Sequence, residues 1–237
     1  MRLVNIAGSP HCWRVRAALH QLHRFSQVEL IAPCERLSLA PTLEDPQCSA
    51  LPIQGSLPIL VHLGILLPNN NPSSSTVVVS RSESLTNAAQ NLTMPLLMAS
   101  SEGAKEPVVD HSSYSALASQ LDWWEDREGG STLLTDDPTV PFVLYPTLAL
   151  LRYLGMALTP HPSLSSFLRR CDVMECFAAT RPPHWVWGET HSKKVFHVIY
   201  QQIRAQSTPS VTTWASKRLG PVAGQLPNGY GRLRITG

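Results

Sequence analysis

The 237-residue chain carries little charge and lacks the cysteine spacings that close a disulfide framework or hold a structural zinc ion. Asp, Glu, Lys and Arg make up 15% of its residues, against about 25% in an ordinary globular domain. The five cysteines are odd in number, form no Cys-x-x-Cys pair and have no histidines at zinc-finger spacing. They are Cys12, Cys34, Cys48, Cys171 and Cys176. We therefore expect neither a disulfide scaffold nor a bound metal.

Long apolar runs are also missing. No stretch approaches the ~20 apolar residues that a membrane-spanning helix needs. The first residues, Met1 to Asn5, lack the longer apolar region and cleavage site of a signal peptide. With 43% apolar residues, the chain is long enough for one large domain or two small ones. These features predict a globular, cytoplasmic protein.

Acidic residues are absent from the segment 191–237, which contains seven Lys or Arg. Apart from residues 195–203, which could form a docked helix, this segment has no apolar period. Burial there would not offset an ordering entropy of about 1–2 kcal/mol per residue. We expect a basic, disordered tail with no specific nucleic-acid partner.

Periodicity at the start of the chain predicts a strand, a turn and a helix. A short apolar run around Leu3 ends at Gly8-Ser9-Pro10, and an i, i+3, i+4, i+7 stripe follows from Val15 to Leu22. Residues 28–31 predict a second strand, parallel to the first after a right-handed crossover. Ser9 then lies at the start of the first helix, either as a plain cap or as a hydroxyl that faces an anion.

The remaining patterns divide the chain into a mixed α/β domain and an all-α domain. A β-hairpin is predicted over residues 57–67, followed by a loop insertion over 68–80 and a helix from Glu83 that ends the first domain at 93. Residues 94–190 carry three helical stripes and predict a helical domain.

Four motifs resemble those of cytosolic glutathione transferases. Residues 9–16, Ser-Pro-His-Cys-Trp-Arg-Val-Arg, are similar to the opening of these enzymes. Gly55-Ser56-Leu57-Pro58 is similar to their loop with a cis-proline, and Glu83-Ser84 to the pair that opens their third helix. Arg181-Pro182-Pro183-His184-Trp185 is similar to the end of their helical domain. The combination most resembles the rho class, with theta and zeta as neighbours.

This resemblance implies a thioredoxin-like domain, a helical domain and a homodimer. It also implies that the Ser9 hydroxyl stabilises the thiolate of glutathione, the co-substrate. Leu57 and Pro58 would align the tripeptide, and Glu83 and Ser84 would hold its γ-glutamyl end. The implied reaction, typical of detoxification, joins that thiolate to a small hydrophobic electrophile bound between the domains.

Two departures from the family pattern keep other interpretations open. The insertion at 68–80 interrupts the expected path to Glu83, and no Asp follows Thr139 where relatives have a capping box. A non-catalytic interaction module could keep this fold. A thiol reductase could use Cys12 for a mixed disulfide with glutathione, although the place of Cys12 inside the first helical turn favours a packed, structural role.

Overall fold

A computed structural model describes most of the first 182 residues, namely 1–32, 40–47, 49–66, 72–102, 111–126, 130–158 and 160–182. The predicted tail, 191–237, lies outside the described residues.

The N-terminal part is built on a four-stranded mixed sheet. Its strands are β1 (Arg2–Val4), β2 (Glu29–Ile31), β3 (Thr42–Glu44) and β4 (Ile53–Gln54). They lie in the order β2-β1-β3-β4. β1 pairs in parallel with β2 and antiparallel with β3, and β3 pairs antiparallel with β4. The predicted parallel strand–helix–strand unit is confirmed.

The helix that crosses between β1 and β2 is α1 (Pro10–Gln21). Proline is favourable at its first position because the ring fixes φ near its helical value and no N–H is lost from the helix. Almost the whole length of α1 is buried, from Pro10 to Leu19 with only His11 partly exposed. The helix is enclosed because it contacts three others, α2 (Ser56–His62), α6 (Val140–Tyr153) and α8 (Glu175–Thr180).

The other regular elements in the described ranges are helices, including a short 3₁₀ helix at Phe25–Gln27. The helices are α2 (Ser56–His62), α3 (Pro72–Glu102), α4 (His111–Glu125), α5 (Leu133–Asp136), α6 (Val140–Tyr153), α7 (Pro162–Asp172) and α8 (Glu175–Thr180). The predicted all-α part is confirmed, although its third stripe forms two helices, α7 and α8, instead of one. Within the described ranges, no helix has both the length and the hydrophobicity to cross a bilayer.

An aromatic cluster joins α1 to the helical part. The Trp13 ring meets Tyr145 and Phe177 edge-on, with ring centroids 5.3 and 6.2 Å away. The indole Nε1 donates to Thr180 Oγ1 at 3.0 Å. Because a buried indole N–H needs an acceptor, this contact fixes α8 against α1.

The predicted hairpin over 57–67 is wrong, because residues 57–62 lie in helix α2 and the described residues after them, 63–66, form turns and bends. Ile59 and Leu60 of the helix are buried, as are Leu63 and Leu66 in the turn that follows it. Gly55, with φ of 95°, turns the chain from β4 directly into α2. Pro58 is in the first turn of α2, where proline removes no helical hydrogen bond. The cis bond predicted before it is also wrong, since the described residues contain no cis peptide.

The predicted loop insertion is wrong wherever the structure describes it. α3 begins at Pro72, so residues 72–80 are helical. The β-branched run 76–79 favours a strand locally, but Val78 is fully buried and α3 packs against α4 and α6. This packing overrides the local preference. The domain boundary predicted at residue 93 lies inside α3.

Candidate functional site

The turn between β1 and α1 presents the Ser9 hydroxyl at the helix N-terminus. Ser9 is the N-cap of α1, and its Oγ accepts a long hydrogen bond from the Cys12 backbone N–H at 3.5 Å. Capping uses a lone pair of the oxygen and leaves the hydroxyl hydrogen available. The N-terminus of a helix also carries about half a unit of positive charge. A partly exposed Ser9 can therefore donate to an anion bound at this turn.

Arg16 holds this turn in place. Its guanidinium donates to the Asn5 side chain, to Ala7 O at 2.9 Å and to Thr180 O at 3.4 Å. Burial lowers the pKa of Arg16 to about 10, so the group is still a cation at neutral pH. The turn is thereby tied to α8.

Cys12 faces away from solvent. None of its surface is exposed, and Sγ accepts a hydrogen bond from the Ile6 N–H at 3.3 Å. Burial raises the pKa of the Cys12 thiol, although the contacts with Ile6 and Ser9 oppose this. A thiol that is buried and protonated at neutral pH is a poor nucleophile.

A second group of polar residues joins α1 to α2 and α3. We call it the Arg14 cluster: Arg14, His11, Ser56, Glu83 and Thr86. The Arg14 guanidinium is fully buried, and its Nη1 forms an ion pair with Glu83 Oε1. The same nitrogen contacts Ser56 Oγ and His11 Nδ1, each at 3.4 Å, and Nη2 donates to Thr86 Oγ1 at 2.7 Å.

Electrostatics within the Arg14 cluster favour a neutral His11. Burial lowers the pKa of His11 and Arg14 lowers it further, while Glu83 and a hydrogen bond with Gln90 oppose these effects. Burial also lowers the pKa of Arg14, and Glu83 opposes it. The ion pair with Glu83 thus favours the charged form of Arg14.

The structure brings together only some of the residues predicted to bind glutathione. Glu83 approaches the α1 turn through Arg14, but from within α3 and not from a helix start. Ser84 follows it, partly buried on the same helix. Leu57 packs against the core and Pro58 is exposed. Both are in α2, so the extended backbone that would pair with a tripeptide is absent there.

Ser56 was missed by sequence reasoning. It is the first residue of α2 and is 4% exposed, and its hydroxyl is 3.2 Å from His11 Nδ1. Its signal in the sequence is the preceding Gly55, a residue type that can serve as an N-cap where a strand turns into a helix. The assumption of a cis-proline loop concealed that signal.

No protein-family model matches the chain, and no curated protein is similar to it in sequence. Solved structures are similar in fold. A glutathione S-transferase from the Antarctic clam Laternula elliptica superposes with a TM-score of 0.61 at 17% identity, over 82% of this chain and 97% of the clam protein. This chain has the glutathione transferase fold.

Two bacterial structures extend this comparison. A glutathione transferase family member from Pseudomonas fluorescens with bound glutathione has a TM-score of 0.55 at 18% identity, over 77% of this chain and 98% of that protein. Maleylpyruvate isomerase from Pseudomonas aeruginosa has a TM-score of 0.54 at 22% identity, over 77% of this chain and 96% of the isomerase. The transferase fold is thus shared across proteins of different named activities, and function has to be argued from the site. In the residues that the structure describes, no group of His, Cys, Asp and Glu could hold a metal.

Proposed function

We propose that this chain is a glutathione transferase that joins the glutathione thiolate to a small hydrophobic electrophile. The observation that carries the proposal is the placement of Ser9, a partly exposed N-cap whose hydroxyl hydrogen is not used by the helix. The similar structure from Pseudomonas fluorescens, which contains glutathione, supports the choice of co-substrate.

Ser9 acts on the ionisation of the thiol. A thiol with a pKa of about 8.5 is mostly protonated at neutral pH. A hydrogen bond from Ser9 and the positive end of the α1 dipole both favour the thiolate, and each unit of pKa lowering corresponds to about 1.4 kcal/mol. The proton leaves to solvent. The thiolate then attacks the electrophilic carbon, and a carbon–sulfur bond forms as the bond to the leaving group breaks; with a chloro-substituted electrophile the leaving group is chloride.

The remaining roles follow from what surrounds this turn. We assign the polar end of glutathione to the side of Ser9 on which Ser56 and Glu83 lie. This assignment replaces the prediction that Leu57 and Pro58 align the tripeptide. Ser84 stays a candidate neighbour on α3. We place Cys12 in the core and not in the chemistry, because its thiol is buried.

We further propose that the first domain ends after α2 and that α3 begins the helical domain, where the electrophile binds. α3 contacts α4 and α6, which favours this division over one at residue 93. We also propose that the protein belongs to the rho class, forms a homodimer, is located in the cytoplasm and acts in detoxification.

Ser9→Ala tests the proposal, with Ser9→Asp as the matched control for capping. Both variants lack the hydroxyl, but aspartate still caps the helix, whereas alanine costs about 1 kcal/mol of stability. We expect kcat/KM for conjugation of glutathione to chlorodinitrobenzene to fall about 100-fold in Ser9→Ala, equivalent to about 3 kcal/mol of lost thiolate preference. Ser9→Asp should lose at least as much, because its carboxylate also repels the thiolate.

Three results would change the proposal. Full turnover in both variants would remove Ser9 from the mechanism. Failure of the wild-type protein to bind immobilised glutathione would favour the non-catalytic module. Loss of all activity in Cys12→Ala, with Ser9→Ala active, would favour the reductase.

A further inference from the structure

The guanidinium of Arg16 joins two parts of the chain that are far apart in sequence. On one side, Nη1 donates to the Asn5 side chain and Nη2 donates to Ala7 O at 2.9 Å. On the other side, Nε and Nη2 each donate to Thr180 O at 3.4 Å. Thr180 is the last residue of α8, where a carbonyl has no partner within its own helix. All three nitrogens of this side chain, which is 4% exposed, are therefore in use.

The residues that Arg16 contacts, 5–7, support Ser9 through one backbone turn. The Ser9 N–H donates to Ile6 O at 3.0 Å, and the Ile6 N–H donates to Cys12 Sγ at 3.3 Å. Cys12 and Arg16 are four residues apart in α1, so their side chains lie on one face of the helix. Two side chains of this face thus hold the segment to which the Ser9 amide is bonded.

The chemistry of Arg16 makes this support sensitive to geometry. The three acceptors that it contacts are neutral, one side-chain amide and two backbone carbonyls. Loss of such partners is costly for a buried cation. The donors of a guanidinium lie in one plane with fixed directions, so all three acceptors are satisfied only while the turn before Ser9 and the end of α8 keep these positions.

We propose that Arg16 is the positioning residue for Ser9: it braces residues 5–7 against the end of α8 and so holds the Ser9 hydroxyl where the glutathione thiolate binds. The inference rests on the proposed function. Arg16 acts through the backbone of the turn and exchanges no proton with the thiol. The last residue of α8 thereby becomes part of the support of the proposed site.

The test compares variants that remove the brace in two ways. Arg16→Gln removes both the fork of donors and the charge, whereas Asn5→Leu keeps the charge and removes one acceptor. The pKa of bound glutathione is measured from the ultraviolet absorbance of the thiolate. We expect Arg16→Gln to raise that pKa by about one unit, a tenfold loss of thiolate at a pH below it, and Asn5→Leu to raise it by a smaller amount.

Two controls separate positioning from a general loss of stability. Arg170→Gln removes another contact from an arginine to a carbonyl, that of Nη2 with Leu134 O at 2.6 Å between α7 and α5, and it should leave the thiol pKa unchanged. In a Ser9→Ala background, Arg16→Gln should raise the thiol pKa no further, because a positioning residue acts only through the residue that it positions.

An unchanged thiol pKa in Arg16→Gln would overturn the proposal. A rise in Arg16→Gln with none in Asn5→Leu would also overturn it, because the charge of Arg16 and not its contacts would then be responsible. A further rise in the Ser9→Ala background would overturn it as well. If Arg16→Gln does not fold, Asn5→Leu decides alone, and an unchanged thiol pKa in that variant overturns the proposal.

A local measurement separates this proposal from the proposed function. Amide hydrogen exchange of the Ser9 N–H should be faster in Asn5→Leu and Arg16→Gln than in the wild-type protein, and unchanged in Arg170→Gln. If the wild-type protein binds no glutathione but this pattern is found, the proposed function fails while the brace stands. Unchanged exchange in Asn5→Leu and Arg16→Gln would overturn the brace itself.

Discussion

Among the residues that the structure describes, two arginine–carboxylate groups link helices, and their arginines differ in burial. In the Arg14 cluster the guanidinium is fully buried and Glu83 is 28% exposed. In the second group, Asp172 of α7 accepts two hydrogen bonds from Arg152 of α6. Nη1 donates to Oδ2 at 2.8 Å and Nη2 to Oδ1 at 2.7 Å, and the Arg152 side chain is 42% exposed. Tyr145 also donates to Asp172 at 2.8 Å.

The difference in burial determines how much each ion pair contributes to stability. An exposed pair is screened by water and adds little stability. A buried arginine has lost its hydration, so its partners are obligatory, and removal of one partner is costly. The buried arginine of the Arg14 cluster therefore depends on its partners beside the proposed site, whereas the Asp172 group links α6 to α7 at a more exposed arginine.

Glu83→Gln should have the largest effect, because it leaves the buried Arg14 cation without its anion. We expect a loss of about 3 kcal/mol in the free energy of unfolding, near the lower limit for a broken buried pair since Glu83 is partly exposed. In a chain of this size that corresponds to a fall of about 6–12 °C in Tm, measured by calorimetry.

The control for this prediction is the double variant Arg14→Met with Glu83→Gln, which removes the cation as well. It should lose less stability than the sum of the two single variants, because no unpaired charge stays buried. Additive losses would mean that the two side chains do not interact in the folded protein.

Asp172→Ala should have a smaller effect, about 1–2 kcal/mol, mainly because the Tyr145 hydroxyl loses its acceptor. Asp172→Asn is the matched control, since its amide oxygen still accepts from Tyr145, and it should lose about half as much. Equal losses in the two variants would show that the charge of Asp172, and not this hydrogen bond, carries the stability.

The Asp172 carboxyl should also make the stability of the protein depend on pH in acid. Burial raises the pKa of Asp172, but hydrogen bonds from Arg152 and Tyr145 outweigh this, so its pKa is lowered overall. A lowered carboxyl pKa adds stability that is present above the unfolded value of about 3.9 and is lost as the pH falls through the folded value. The difference in stability between the wild-type protein and Asp172→Asn should therefore shrink below about pH 4.

Local signals were sufficient to predict α1 and the helices of the second half. Ser9 and Pro10 determine where α1 begins, and the α4 stripe that includes Tyr114 and Trp124 is buried as predicted. A cap, a helix-favouring proline and a regular apolar stripe act within a few residues of each other, so they can be identified without knowledge of the rest of the chain.

The segment from α2 to α3 could not be predicted in the same way. Its apolar run around Ile59 fits either a strand or a short helix, and only tertiary contacts decide between them. The site has the same limitation. Arg14 and Glu83 are 69 residues apart in sequence, and His11 and Ser56 are 45 apart. Neither pairing leaves a local pattern.

The smallest expected effect is on the pH dependence of stability, and it distinguishes His11 of the Arg14 cluster from His161, a buried histidine outside that cluster. His161 is 4% exposed, and its Nε2 is 3.4 Å from Asp122 Oδ1. Burial lowers the pKa of both His11 and His161, and Arg14 lowers that of His11 further. A histidine whose folded pKa is lowered destabilises the protein as the pH falls below the unfolded value of about 6.5, because the unfolded chain binds the proton more readily.

We expect the free energy of unfolding to decrease from pH 7 to pH 5 in the wild-type protein, measured by urea denaturation at each pH. Both His11→Gln and His161→Gln should flatten this dependence, because glutamine does not titrate. Arg14→Met should also flatten the pH dependence in a protein that keeps His11, because a neutral residue 14 no longer repels the His11 imidazolium. In the His11→Gln background, Arg14→Met should have no such effect. If Arg14→Met flattens the dependence equally in His11→Gln, the contact between Arg14 and His11 does not set the protonation of that ring.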